Sequence, residues 1–131
     1  MKIALISCNF ERQGFPPMGI MYLSSYIKQH LPDVEIKLYD LFPDVETLVS
    51  EGFSLIGFSC FSIQYYQAEQ YAKLLRNKFN GLICIGGIHV TLTHKLPFWA
   101  DIAVIGEGEQ TFYELLLCLR NNNLQITNSL N

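Results

Sequence analysis

The sequence predicts an α/β domain built on an open parallel sheet, and three observations carry that expectation. Two short apolar runs, Leu82-Ile83-Cys84-Ile85 and Ile102-Ala103-Val104-Ile105, read as strands buried on both faces. Each run stops at glycine, at Gly86-Gly87 and at Gly106-Glu107-Gly108-Glu109, where the backbone is free to turn sharply and let a flat group approach it. Segments of helical period separate the strands, so that strand and helix alternate along the chain. The bulk numbers agree. The 131 residues suit one domain, and 50% hydrophobic against 16% charged residues suits a buried sheet and a surface that meets something else.

In chain order, Lys2 to Cys8 reads as the first strand, and Asn9 to Phe15 as a polar loop. Pro16-Pro17 opens a helix running to about Leu31, with a buried stripe of Ile20, Leu23, Tyr26 (or Ile27) and Leu31. Lys28 and His30 suit its last turn, and Pro32 stops it. Val34 to Tyr39 alternates apolar and charged residues, as an edge or half-exposed strand does. Asp44 caps a short helix ending at Ser50, and Phe53 to Cys60 forms a central third strand. Gln64 to Phe79 is the clearest helix, with Tyr65, Ala68, Ala72, Leu75 and Phe79 on one face, and Gly81 closes it. The fourth strand is Leu82 to Ile85. Val90 to Trp99 is expected as a short irregular helix broken by Pro97, Asp101 to Ile105 as the fifth strand, and Thr111 to Leu119 as the last helix.

Right-handed crossovers leave few topologies for such a chain, and the favoured strand order is 2-1-3-4-5, a flavodoxin-like (Rossmann-like) arrangement. A ligand then lies over the carboxyl ends of the strands, in a crevice lined by Ser7 to Phe10, Ser59 to Ser62, Gly86 to Thr91 and Gly106 to Glu109. The domain is expected over 1–120. The polar segment 121–131 reads as a linker or frayed tail.

Several functions are disfavoured. A net charge of -3 and a pI near 5.5 do not make a nucleic-acid footprint. The apolar runs are far shorter than the ~20 residues of a membrane helix, and the N-terminus reads as a strand without a cleavage signature. Cys8, Cys60, Cys84 and Cys118 match neither zinc nor iron–sulfur spacing, and read as buried, reduced thiols of a cytoplasmic protein. No Gly-x-Gly-x-x-Gly follows the first strand, and neither a Walker A lysine nor an acidic Mg²⁺ cluster is found. What remains at the crevice is small and hydroxyl-bearing: Ser59, Ser62, Gly86, Gly87, Thr91, Gly106 and Gly108, with Phe10, Phe15, Phe58 and Phe61 nearby. Such a rim suits a broad, flat, partly apolar ligand edged with amides. His89 and His94 read first as surface or capping residues, and Glu109 as a helix-terminal charge. With no nucleophile–base pair and no metal-ligand spacing, catalysis by this chain alone is not expected.

These residues carry a family resemblance. Pro16-Pro17-Met18-Gly19-Ile20-Met21-Tyr22-Leu23, Val34 to Asp40, Gly86-Gly87-Ile88-His89-Val90-Thr91 and Asp101 to Glu109 together resemble the N-terminal cobalamin-binding domain of B12-dependent radical SAM proteins. The resemblance covers roughly Lys2 to Arg120. It implies a flavodoxin-like fold holding the corrinoid over the strand ends. Ser59 and Phe61 would lie beside the cofactor tail, Gly86 and Gly87 against the nucleotide tail, and Gly106 to Glu109 at the neighbouring loop. Ser62, His89, Thr91, Glu107 and Glu109 complete the implied cofactor-binding set. Two departures stand out. The Asp-x-His-x-x-Gly loop whose His ligates cobalt is missing after the first strand, and so is the Cys-x3-Cys-x2-Cys iron–sulfur motif. The resemblance therefore implies a cobalamin module without a protein lower ligand. The cluster and SAM would belong to a radical SAM barrel C-terminal to this chain, in an enzyme such as a methyltransferase.

Two other classes of function compete: an interaction or scaffold domain that has lost the cofactor, and a flavodoxin-like FMN protein. One further expectation concerns Gly87. A bulky side chain there is expected to block the tail while leaving the fold intact.

Overall fold

Strand β1 (Lys2–Ser7) lies between β2 (Glu35–Tyr39) and β3 (Leu55–Ser59), with β4 (Leu82–Gly86) and β5 (Ile102–Ala103) following on the β3 side. All four pairings are parallel, so the order is 2-1-3-4-5, as the alternation of elements predicts. The computed structural model describes residues 1–9 and 16–121. Five helices connect or follow the strands: α1 (Met18–His30), α2 (Val45–Ser50), α3 (Tyr65–Arg76), α4 (Ile88–Thr93) and α5 (Glu109–Arg120). A single 3₁₀ turn, Ser62–Gln64, leads into α3.

Alternation along the strands splits the core into two layers. Ala4, Ile6, Ile56, Phe58, Ile83 and Ile85 face one way and pack with Leu48, Ala68, Leu75 and Val90 of α2, α3 and α4. Ile3, Leu5, Leu55, Cys84 and Ile102 face the other way, against Ile20 and Ile27 of α1 and Phe112, Leu115 and Leu116 of α5. The stripe of α1 includes fully buried Ile27, while Tyr26 turns aside to stack on His30 with ring centroids 4.2 Å apart. Asp44 caps α2, its carboxylate accepting the Thr47 N–H at 3.1 Å. Strand β2 is a half-exposed edge.

β3 and α3 are shorter than the expected Phe53 to Cys60 and Gln64 to Phe79, α5 starts at Glu109 instead of Thr111, and two further elements differ in a way that bears on the site. The helix expected over Val90 to Trp99 lies earlier: α4 starts at Ile88 directly after Gly87 and stops at Thr93. His94 ends it in a left-handed conformation, φ 53 and ψ 33, leaving Pro97 in the following loop. Strand β5 is shorter than Asp101 to Ile105. At its start Asp101 turns a side chain onto the sheet, its carboxylate accepting the Ile83 N–H at 2.8 Å and Arg76 at 2.9 Å. Nearly all of the segment read as a tail, 122–131, lies outside the described residues.

A glycine-lined cavity at the strand ends

The site begins with an omission in the middle of the sheet. Leu5, Gly57 and Cys84 stand side by side in register on β1, β3 and β4. They fall on the face covered by α1 and α5, and the central position has no side chain. A cavity of about 150 Å³ opens there between the sheet and the two helices. It rises to the strand ends, where Gly86, Gly87, Gly106 and Gly108 form its mouth and Gly19 of α1 faces them. Six of the nine glycines in the chain line it, so its shape is set by missing side chains. A Cβ on Gly19 would sit 3.8 Å from the Ser59 hydroxyl, and one on Gly106 would meet nothing within 4 Å. A wider opening adjoins the first and shares Gly19, Ile20 and Ser59 with it. Ser7, Asn9, Asp40, Phe61 and Gln64 border it. The Asn9 amide donates to the Ser7 hydroxyl at 3.2 Å, and the Gln64 amide donates to Asn9.

The loops at the mouth are laced together through their backbones. The Cys60 N–H donates to the Gly86 carbonyl at 3.1 Å, and the His89 N–H donates to the Cys60 carbonyl at 3.2 Å. Between them Gly87 takes φ 100 and ψ -173, a region open almost only to glycine. A Cβ there would lie 2.7 Å from the Cys60 carbonyl oxygen and 2.8 Å from its nitrogen. The expectation that a bulky residue at Gly87 leaves the fold intact is therefore wrong, because that position is pressed against backbone as well as bordering the crevice.

The expected site residues divide accordingly. Gly86, Gly87, Gly106, Glu107 and Gly108 line the cavity with Ser59. Phe61 is exposed on the rim of the adjoining opening. Ser62 and His89 belong to the scaffold of the mouth: the Ser62 hydroxyl and His89 Nδ1 are 3.1 Å apart, and the imidazole stacks on Tyr65. Thr91 is also structural, its hydroxyl accepting the Gly106 N–H at 3.0 Å and so tying α4 to the loop after β5. Glu109 stands in the first turn of α5 behind the N-cap Gly108, where its charge suits the helix dipole. His94 closes α4 at the end away from Gly87. Phe58 does not reach the rim as an aromatic; its ring is buried against Tyr71 and Trp99. Phe10 and Phe15 lie outside the described residues.

The sequence does not single out Gly19 and Gly57 as site residues, nor the apolar wall that includes Leu5, Ile20, Cys84, Val104 and Phe112. Glycine inside the apolar run Leu55-Ile56-Gly57-Phe58 was the available signal, since a strand interior keeps glycine where something approaches closely.

Below Ser59 and Glu107 the cavity wall carries no charged side chain. Burial, aided by the negative charge of Asp101, pushes the Cys84 thiol up to about 12, so it stays protonated. Cys8 is likewise raised by burial and then by neighbouring Cys60. All four cysteines are buried and free. Among the described residues, no three His, Cys, Asp or Glu side chains gather into a metal site, and no helix is long and apolar enough to cross a membrane.

Comparison with known proteins agrees with this geometry. The family model described as the B12 binding domain matches residues 12–116. No curated protein matches the chain. A similar solved structure is that of the radical S-adenosylmethionine methyltransferase TsrM from Kitasatospora setae, with tryptophan substrate and a SAM analogue bound. It superposes with a TM-score of 0.72 at 14% identity, over 92% of this chain and 26% of that one. At that identity the likeness is one of fold, and this chain spans about a quarter of the length of that protein.

Proposed function

The chain belongs to the B12-binding domain family, and from that premise we propose that it holds cobalamin with the corrin ring over the strand ends and the base of its nucleotide tail lowered into the glycine-lined cavity. The observation that carries this reading is the row Leu5, Gly57, Cys84, which opens a slot beneath a mouth built from glycine backbone. Such a slot fits a flat group that needs close approach to the main chain. Ser59 stands at the mouth to meet the polar edge of the corrinoid, and Phe61 offers an exposed apolar face beside it. Ser62 and Thr91 act by fixing the loops.

In this reading no protein nitrogen ligates cobalt. His89 is held between Tyr65 and Ser62, and His30 and His94 stand at the far ends of α1 and α4. Bound here, a corrinoid supplies cobalt-centred group-transfer chemistry. Gly86, Gly87, Gly106 and Gly108 would carry the ring, Ser59 and Phe61 would orient its edge, and Leu5, Gly57 and Cys84 would receive the base of its tail. The natural partner is a radical SAM barrel carrying its own iron–sulfur cluster and SAM, C-terminal to this domain, as in a methyltransferase. Support comes from the Gly-Gly-x-His-x-Thr and Gly-Glu-Gly-Glu motifs together, and from the match to one quarter of a larger radical SAM enzyme.

An absorbance titration tests the reading. Hydroxocobalamin is expected to give a saturable shift to a base-off spectrum, unchanged in His89→Ala at saturation, and FMN no change. Binding of FMN alone would identify a flavodoxin-like protein, and binding of neither would leave a scaffold domain.

A further inference from the structure

We propose that the cavity sorts corrinoids by the base on their tail, taking an apolar benzimidazole in preference to adenine. This rests on the reading that the tail enters the cavity. Below the mouth the wall is made by Leu5, Ile20, Leu23, Cys84, Val104 and Phe112. Leu5, Ile20, Cys84, Val104 and Phe112 are each buried. The polar side chains on the lining, Ser59 and Glu107, sit at the end of β3 and in the loop after β5, at the top. The floor offers no polar backbone either. Gly57 lies in the middle of β3, which is paired by β1 on one side and by β4 on the other. The thiol of Cys84 stays protonated there and is a weak partner. At about 150 Å³ the space suits one aromatic base and not a whole nucleotide.

The two bases differ in what they ask of such a wall. A dimethylbenzimidazole presents a carbon edge, methyl groups and a single free ring nitrogen. Adenine presents an exocyclic amine and more ring nitrogens, so more polar groups leave water and find no partner on this wall. A buried polar group without a partner is penalised far more than an apolar one of equal size. The preference expected from one such group is about tenfold or more.

The test compares three corrinoids by anaerobic equilibrium dialysis at the Co(I) level, where neither base ligates the metal. The three are cobalamin, its adenine-tailed analogue and tail-less cobinamide. Cobalamin is expected to bind at least tenfold more tightly than the adenine form, and more tightly than cobinamide. Cys84→Ser places a hydroxyl on the wall and is expected to reduce the cobalamin-to-adenine ratio several-fold; Val104→Thr does the same from the end of the neighbouring strand should the first variant fold poorly. Equal binding of the two tailed forms, with cobinamide weaker, would overturn the sorting while leaving the cobalamin reading intact. Cobinamide binding as tightly as cobalamin would place the tail outside the cavity and overturn it as well. An unchanged ratio in both variants would show that the wall does not do the sorting. Failure of every corrinoid to bind would instead remove the functional reading on which the inference stands.

Discussion

The imidazole of His89 lies flat against the phenol ring of Tyr65, with centroids 3.9 Å apart and planes 22° from parallel. Tyr65 begins α3 and His89 sits in the first turn of α4, so the stack joins the two helices that rise from neighbouring strand ends. The Ser62 hydroxyl holds the same imidazole. A ring stack and a hydrogen bond of this kind together contribute on the order of 1–2 kcal/mol. His89→Ala is therefore expected to lower the melting temperature by a few degrees and to weaken cobalamin binding by up to about tenfold. His89→Phe, which keeps the stack, is expected to recover much of the stability. Titration and thermal melting of both variants check this, and wild-type affinity in His89→Ala would show that the mouth is not shaped by this clamp.

Gly86 and Gly87 are neighbours with opposite tolerances. A Cβ on Gly86 would rest 3.7 Å from the Val104 carbonyl, an ordinary contact, while one on Gly87 would collide with the Cys60 backbone. Gly87→Ala is expected to destabilise the domain by at least about 2 kcal/mol through strain and displacement of the loop. Gly86→Val is expected to fold and to lose cobalamin binding, because its side chain enters the cavity. Chemical denaturation paired with dialysis separates the two effects. A folded Gly86→Val that binds normally would move the tail elsewhere.

Gly19 gives a gain-of-stability prediction. It is the second residue of α1, and glycine in a helix is less favourable than alanine by at most about 1 kcal/mol. An added Cβ would reach only ordinary contact with Ser59. Gly19→Ala is expected to raise the melting temperature by a few degrees. Gly19→Leu is expected to close the mouth and abolish binding without unfolding the chain. A fall in melting temperature for the alanine variant would contradict the placement of Gly19.

The buried thiol of Cys84 makes the domain sensitive to alkali. Its ordinary value is 9.0, and burial pushes it up to about 12. The folded state therefore keeps a proton that the unfolded chain releases, and its stabilising effect is full below pH 9 and lost as pH rises towards 12. Between those limits this group removes up to about 1.4 kcal/mol per pH unit. Cys84→Ser, which does not titrate there, is expected to show a shallower loss of stability between pH 9 and 10.5. Parallel slopes for the two proteins would rule out Cys84 as the cause.

Much of the fold is legible in the chain because local rules and global packing agree. Leu55-Ile56-Gly57-Phe58 and Leu82 to Ile85 are apolar without interruption, as strands buried on both faces must be. Asp44 stands before a helix and caps it. Thr91 and His89 were recognisable as belonging to the mouth, yet their roles were not, since each depends on a partner from another strand end, Gly106 and Tyr65. The start of α4 was missed because a short helix has no periodicity to read, and the left-handed turn at His94 decides its end before Pro97 does. The cavity itself was invisible. It exists only once the register sets Gly57 between Leu5 and Cys84. The strain at Gly87 likewise appears only when Cys60 is brought against it.

The same cavity has a temporal consequence. Its wall joins Leu5, from the first strand, with Val104 and Phe112, which come after every other strand has been laid down. A ribosome releases these walls in that order, and domains generally fold as units during synthesis. The slot thus stays half-built, with β4 lacking its outer neighbour, until Ile102 emerges. A closed slot for the cofactor therefore exists only once Val104 and Phe112 have joined Leu5.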